Sequence, residues 1–465
     1  MKFMERQDFH TVYFIGIGGI GMSNLARYFH QRGAQVSGYD KTPSPLTRKL
    51  EQEGMSVYYE EDIAHIPQDI KNKKAGTLVV YTPAIPVDHQ ELVFLKSVGV
   101  ELFKRSEVLG LLSRNLYTLG VAGTHGKTST STMLAHLLHH GGKDTAAFLG
   151  GISVNFDSNL LVNASSEALC VVEADEFDRS FHRLSPKEAI ITSAGADHLD
   201  IYGTHEALLL AFREYIDKLP AGGNLIIQEE IANLADHRTD ISKITYGIDR
   251  GMAQAQDIRA DQGAFLFNYK SEDCFIQDLK LYVPGFHNVE NMVAAITIAR
   301  GHGLSDAAIK KAVADFQGVK RRFEYIVKQE DRIYIDDYAH HPEEIEACLK
   351  SVRALFPGKK LSIAFQPHLF SRTQDFMEDF GKALGLADEV FLLDIYPARE
   401  LPIPGVSSEV LLEKIPAKSK TLLSKEGLLE RIKQDLPHLF LTLGAGDIDR
   451  LIPEIKAILQ AEQAN

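Results

Sequence analysis

The sequence predicts an α/β protein built as three domains in series, each a mostly parallel sheet layered with helices. Three observations lead there. At 465 residues the chain exceeds what one hydrophobic core usually supports. Short apolar strand patterns alternate with helix-period stretches in three successive blocks. Two strand-to-helix junctions, Gly16 to Gly21 and Gly120 to Thr128, carry glycine turns of the kind that let a backbone approach phosphate oxygens. The blocks set the expected domains at 1–114, 115–320 and 321–465.

In the first block, Thr11 to Ile17 is a buried-strand pattern, followed by the glycine turn, a helix from about Met22 to Arg32 and a strand from Gln35 to Gly38. Thr77 to Tyr81 and Val100 to Phe103 are further strands, alternating with helices up to about Arg114. This is a Rossmann-like, doubly wound pattern. The second block opens with a strand, Leu116 to Ala122, and a helix, Lys127 to His140. Leu169 to Val172 and Ala189 to Thr192 are apolar strands that each end in an acid-bearing loop, as in a P-loop ATPase-like sheet. From Asn224 to Val283 short strands and turns follow, among them Gly263 to Tyr269, before a helix from about Val289 to His302. After Gly318-Val-Lys-Arg-Arg322 a third, again Rossmann-like, alternation begins: Ile333 to Ile335, a helix from Pro342 to Leu355, Leu361 to Phe365, a helix from Phe376 to Leu384, Glu389 to Leu393, and Leu439 to Leu443 before a closing helix.

Composition narrows the chemistry. The balance of 50 basic and 63 acidic residues, net −13, argues against a broad nucleic-acid or membrane-surface footprint while leaving room for local basic pockets. Cys170, Cys274 and Cys348 are odd in number and far apart, which supports neither a disulfide framework nor a zinc site. No window reaches the roughly 18 apolar residues of a membrane span, and no signal-peptide pattern opens the chain, so a cytoplasmic protein is expected.

Gly126-Lys127-Thr128 supplies what a nucleoside triphosphate needs: free backbone, an ammonium for the β/γ oxygens and a hydroxyl for Mg²⁺. The usual pattern would start with glycine at 121. Val121 stands there, between Gly120 and Gly123, so the loop is a variant. Gly16-Ile-Gly18-Gly19-Ile20-Gly21 is a full GxGxxG, and Asp40 ends the next strand at the spacing where an acid meets a ribose hydroxyl. By itself it reads as a dinucleotide turn, yet a UDP-sugar also carries a pyrophosphate. Val171-Val-Glu173-Ala-Asp175-Glu176 ends its strand with three carboxylates, one of which is expected to hold the nucleotide's Mg²⁺. Asp197-His198-Leu-Asp200 follows the next strand in the same way. Asn288 and Asn291 start a helix, where carboxamides contact a purine edge or cap the helix. Asp336-Asp-Tyr-Ala-His-His341-Pro and Phe365-Gln-Pro-His-Leu-Phe-Ser-Arg372 follow strands of the third block, where open α/β sheets place ligand groups.

Gly-Thr-His-Gly-Lys-Thr, Glu-Ala-Asp-Glu, Asp-His-Leu-Asp, His-Asn-Val-Glu-Asn, Arg-Arg-Phe-Glu and Asp-Asp-Tyr-Ala-His-His-Pro occur here in the order seen in the Mur ligases, and the chain resembles that family over essentially its whole length. The resemblance implies ATP-dependent amide formation: a muramate carboxylate attacks the γ-phosphate, and an amine then attacks the acyl phosphate. The Phe-Gln-Pro-His segment and Asp394-Ile-Tyr-Pro-Ala-Arg-Glu400 with Pro402-Ile403 point to UDP-N-acetylmuramate and L-alanine as the substrates, with joining of an intact tripeptide as the alternative. It further implies ATP contacts from Gly123, Thr124, His125, Gly126, Lys127, Thr128 and Ser129, adenine contacts from Asn288 and Asn291, and a ribose contact from Asp337. Thr128, Glu173 and His198 would hold Mg²⁺, and Lys127, Glu173, His198 and Arg322 would serve catalysis. Gly16, Gly18, Gly19, Ile20, Gly21 and Asp40 would hold the UDP-sugar, and His341 and Arg372 the amino acid. Related alanine-adding sequences often have arginine where this chain has Leu369; a carbamylated lysine used by several family members is not assigned to Lys218 or Arg213. The expected protein works on small molecules as a monomer or homodimer, without nucleic acid or membrane partners.

Overall fold

The computed structural model describes residues 9–461 apart from 163–164, 166, 197–198, 262, 284 and 399, and leaves the side chains of Asp178, Leu199 and Asp200 undescribed. It contains three sheets, one for each block read from the sequence.

The first sheet has the strand order Ser56–Tyr58, Gln35–Tyr39, Thr11–Ile15, Thr77–Tyr81, Phe103–Lys104, all parallel. Val12, Tyr13, Phe14 and Ile15 have no exposed surface. A central strand covered on both faces is apolar without alternation for that reason. The predicted strand over Val100 to Phe103 is shorter, only Phe103–Lys104. Val100 instead closes the end of the helix Gln90–Ser97, its N–H donating to Leu95 O at 2.9 Å after Gly99 turns with φ 70°.

In the second sheet, Ser242–Ile248, Asn224–Gln228, Glu188–Ile191, Tyr117–Ala122, Leu169–Glu173 and Thr145–Ser153 lie side by side and parallel. Ser158–Leu161 pairs antiparallel with Thr145–Ser153, making an edge hairpin that the sequence reading did not anticipate. Register places Glu173 opposite Val121 and Ile191 opposite Ala122, so the loops that follow three neighbouring strands leave one edge together.

The third sheet runs Glu324–Lys328, Ile333–Asp337, Leu439–Leu443, Leu361–Phe365, Glu389–Leu392, Ser419–Leu422, parallel except for its antiparallel first strand. Asp337 and Phe365 both stand level with Leu443, which again gathers the strand ends on one edge.

Two compact units divide the chain: Met1–Ala255 with Tyr269–Ile276 and Glu290–Ala312, and Gln256–Asn268 with Gln277–Val289 and Val313–Asn465. The first therefore holds the first sheet and, of the second, the strands from Ser242–Ile248 across to the edge hairpin Thr145–Ser153 with Ser158–Leu161. Inside it, the helix Ile20–Gln31 packs on the edge hairpin through buried polar groups. Arg27, 3 % exposed, donates to Glu53 Oε2 and to Asn159 Oδ1, both at 2.6 Å, and Asn24 Nδ2 donates to Leu149 O at 2.8 Å. Among the described residues no helix is long and apolar enough to cross a membrane.

Candidate active site

The phosphate loop grows from the strand Tyr117–Ala122 and ends in the helix Lys127–His140. Gly126 caps that helix with φ 82° and no side chain capping it, which leaves first-turn N–H groups directed at any anion beyond the end. A Cβ on Gly126 would meet Asn291 Oδ1 at 2.9 Å, so the carboxamide of Asn291 lies against the loop. Asn288 precedes it by one helical turn on Phe286–Gly301, and both side chains are buried. Gly123 has φ 136°, and a Cβ there would collide with Thr192 Oγ1 at 2.1 Å. Gly120, read from the sequence as a glycine of the loop, lies inside the strand. Its missing side chain makes room for Tyr215 Oη, which a Cβ would meet at 2.1 Å.

The loop after Glu188–Ile191 braces the cradle from behind. Ser193 Oγ accepts from His125 N at 2.8 Å and shares a hydrogen bond with Thr124 Oγ1 at 3.0 Å, and Gly195 N donates to Thr124 Oγ1 at 3.0 Å. Lys127 Nζ donates to Gly123 O at 2.7 Å, Thr124 O at 3.3 Å and Glu176 Oε1 at 2.8 Å. Burial pulls the Lys127 pKa down, but the carboxylates of Glu176 and Asp175 outweigh it and hold the ammonium above the ordinary lysine value. Burial pushes the Asp175 carboxyl up against the opposing pull of Lys127. Glu173 Oε1 accepts from Thr128 Oγ1 at 3.1 Å, and Oε2 accepts from Gly150 N at 3.0 Å. Two of the three predicted metal ligands are thus together; His198 lies outside the described residues. Ser129 sits half-buried in the same first turn.

At the first sheet, Gly16 turns with φ 90°, and Asp40 Oδ2 accepts from Gly18 N at 2.7 Å while Oδ1 accepts from Thr42 N at 3.2 Å. Asp40 therefore holds the glycine turn in shape. Gly18 is boxed in by Thr47 and Asp40, Gly19 caps the helix, and Ile20 remains 37 % exposed at its start. Arg105 was not singled out from the sequence. Its Nη1 lies 2.9 Å from where a Gly21 Cβ would be, and its charge reaches Asp175. A basic residue opening the helix Arg105–Arg114 was the available signal.

In the third sheet, Arg322 lies between Arg321 and Phe323, two non-glycine residues with φ of 63° and 49°. Such backbone costs on the order of 1–3 kcal/mol per residue and persists only where its surroundings impose it. Asp337 supplies part of that: Oδ2 accepts from Phe323 N at 2.6 Å and Oδ1 from Ala339 N at 2.7 Å. Arg322 stacks its guanidinium over Tyr338 at 4.8 Å. Burial, partly opposed by Arg322, pushes the Asp337 carboxyl up to about 6.

Arg372 Nη1 is 3.4 Å from His368 Nδ1, and His368 faces His340 with ring centroids 6.2 Å apart. Burial, with Arg372 assisting, pushes the His368 imidazole down to about 4. His341, chosen from the sequence, caps the helix Pro342–Leu355 and packs its ring against Phe376 at 5.0 Å and beside that of His340 at 5.9 Å. Leu369, with φ 74°, is clamped by its N–H to Tyr396 O at 2.9 Å.

The geometry can cradle a triphosphate and polarise it, hold a second phosphorylated ligand at a glycine turn, and present a guanidinium beside neutral imidazoles. Known proteins resemble this chain in sequence and fold. Three family models match in series: Mur ligase family, catalytic domain, over residues 11–117; Mur ligase middle domain over 121–299; and Mur ligase, glutamate ligase domain, over 321–446. UDP-N-acetylmuramate--L-alanine ligase of Cytophaga hutchinsonii is 47 % identical over 460 residues, 98 % of each chain, and that of Phocaeicola vulgatus 48 % identical over 98 % of this chain and 99 % of its own. The crystal structure of UDP-N-acetylmuramate-alanine ligase from Thermotoga maritima superposes with a TM-score of 0.80 at 28 % identity, covering 97 % of this chain and 99 % of that one. With all three models matching in order along nearly the full length, this chain belongs to the Mur ligase family.

Proposed function

We propose that the chain is an ATP-dependent ligase that joins L-alanine to the carboxylate of UDP-N-acetylmuramate, with release of ADP and phosphate, in the cytoplasmic assembly of peptidoglycan precursors. The observation that carries this reading is the near-complete alignment with L-alanine ligases, together with Lys127, Thr128 and Glu173 assembled at one loop.

The carboxylate oxygen attacks the γ-phosphorus, ADP leaves, and an acyl phosphate forms; the amine of alanine then attacks the acyl carbon and phosphate leaves. The first step brings two anions together. Lys127, held ready by Glu176, would give one of its N–H bonds to the β/γ oxygens, and Arg322 would offset charge on the transferring phosphoryl group. Thr128 and Glu173 fit Mg²⁺, being oxygen donors of the type that ion takes. When bound, it would neutralise phosphate charge. Asn291, lying on Gly126, and Asn288 would meet the adenine edge. Any ribose contact of Asp337 uses lone pairs left over from its two backbone N–H partners. Gly16 to Gly21 would carry the pyrophosphate of the UDP-sugar with Arg105 beside it. Arg372 would pair with the α-carboxylate of alanine.

Phosphate release from ATP in the presence of UDP-N-acetylmuramate tests this, with L-alanine, L-serine, glycine and a tripeptide compared as acceptors. L-alanine is expected to give the highest kcat/KM. Release with the tripeptide alone would replace the proposal by the recycling activity, and no release with any acceptor would refute both.

A further inference from the structure

We infer that Asn159, on the edge hairpin of the second sheet, is a positioning residue that fixes the UDP-sugar turn of the first sheet with respect to the phosphate loop; this rests on the ligase reading above. Asn159 has no exposed surface. Its Nδ2 donates to Ile20 O at 2.7 Å and to Ser23 Oγ at 3.0 Å, and its Oδ1 accepts from Arg27 Nη1 at 2.6 Å. Ile20 belongs to the glycine turn itself and begins the helix Ile20–Gln31. A side chain 139 positions along the chain therefore grips the segment assigned to the pyrophosphate.

The other strand of the same hairpin grips the phosphate loop. Asn24, on the turn's helix, donates to Leu149 O at 2.8 Å. The next residue, Gly150, donates its N–H to Glu173 Oε2 at 3.0 Å, and Glu173 Oε1 accepts from Thr128 at 3.1 Å. A side chain on Gly150 would have to push the Glu173 carboxylate aside, since a Cβ would lie 2.2 Å from Glu173 Oε1. One hairpin thus joins the two sites by a run of hydrogen bonds. The reaction needs this: a carboxylate carried by one site must come within roughly 3–3.5 Å of a phosphorus carried by the other, and a misplacement of about 1 Å costs on the order of 100-fold. A carboxamide is the side chain the place requires, with an acceptor toward a guanidinium and donors toward a carbonyl and a hydroxyl.

Asn159→Asp separates positioning from folding, because it keeps an acceptor, now a carboxylate, for Arg27 and replaces the donor to Ile20 O by an oxygen that repels that carbonyl. In the full chain we expect kcat at saturating substrates to fall about 10- to 100-fold, UDP-N-acetylmuramate affinity measured by calorimetry to weaken, and ADP affinity to stay unchanged. Asn24→Ala, which cuts the second link, is expected to lower kcat in the same direction. Unchanged kcat and UDP-sugar affinity in Asn159→Asp, even with a lower Tm, would overturn the inference. So would an equal loss of ADP affinity. If Asn159→Asp does not fold, an unchanged kcat in Asn24→Ala would overturn it. A wild-type chain that binds UDP-N-acetylmuramate without turnover would sink the ligase reading instead, and the affinity comparison would still decide the role of Asn159.

Discussion

Lys127 and Glu176 form a pair in which the lysine side chain is 13 % exposed and the carboxylate fully buried. Truncating one member of such a pair typically costs about 3–5 kcal/mol. Lys127→Met is therefore expected to lose both turnover, by about 10²- to 10³-fold, and thermal stability. Lys127→Met with Glu176→Gln should regain much of the Tm and none of the activity; recovery of turnover in the double variant would remove Lys127 from the chemistry. At the third sheet, Arg372→Lys exchanges a bidentate fork for a point charge. It should raise the KM for L-alanine more than those for ATP or UDP-N-acetylmuramate, and a uniform rise across all three would move Arg372 out of the amino-acid site. These residues were unequally legible. Lys127, Thr128 and Glu173 stood in a spaced motif, so sequence found them, whereas Glu176 was one of three equivalent acids until the distance to Lys127 chose it. His341 was singled out from the sequence and its neighbour His340 was not, yet their rings lie 5.9 Å apart, that of His341 set against Phe376 by the start of a helix while that of His340 faces His368.

Whole elements were easier to read. The strands Thr77–Tyr81, Leu361–Phe365 and Leu439–Leu443 and the helices Lys127–His140 and Pro342–Leu355 have the bounds that periodicity and flanking turns indicate. The hairpin Thr145–Ser153 with Ser158–Leu161 was not legible, since Gly150 and Gly151 weaken any strand signal and the reason for Gly150 is a carboxylate two strands of sequence later. The glycine turn shows the same limit. Sequence explains Gly18 by the approach of a ligand, whereas the structure shows a protein reason as well: a Cβ there would stand 2.5 Å from Thr47 Cγ2 and 2.8 Å from Asp40 Oδ2. Gly18→Ala should therefore displace Asp40 from Gly18 N, weaken UDP-N-acetylmuramate binding by about tenfold or more, the equivalent of 1.4 kcal/mol, and leave ADP binding intact. Calorimetry with each ligand checks this, and equal weakening of both would show that the turn does not act alone.

At the scale of the molecule, three sheets were legible from alternation and length, whereas their grouping into two compact units was not, because it depends on contacts far apart in sequence. Stability should carry the mark of two adjacent buried acids. Burial pushes Asp336, despite Arg321 and Thr442, and Asp337, despite Arg322, up to about 6. The folded chain then keeps protons that the unfolded chain releases above about pH 4. This contribution is complete below about pH 4 and is lost as pH rises through about 6. Asp336→Asn, having no proton to lose, should gain relative to wild type between pH 4.5 and 7.5 in denaturant titrations; parallel curves would place the proton elsewhere. Arg27 has a different kind of consequence. A guanidinium 3 % exposed whose partner Asn159 lies 132 positions away ties the first sheet to one particular neighbour. Such a chain is poorly modular: a chimera carrying a foreign N-terminal sheet would bury a cation without its carboxamide, or a carboxamide without its cation. New substrates for this scaffold are thus more accessible by altering loops within a lineage than by recombining whole domains between lineages.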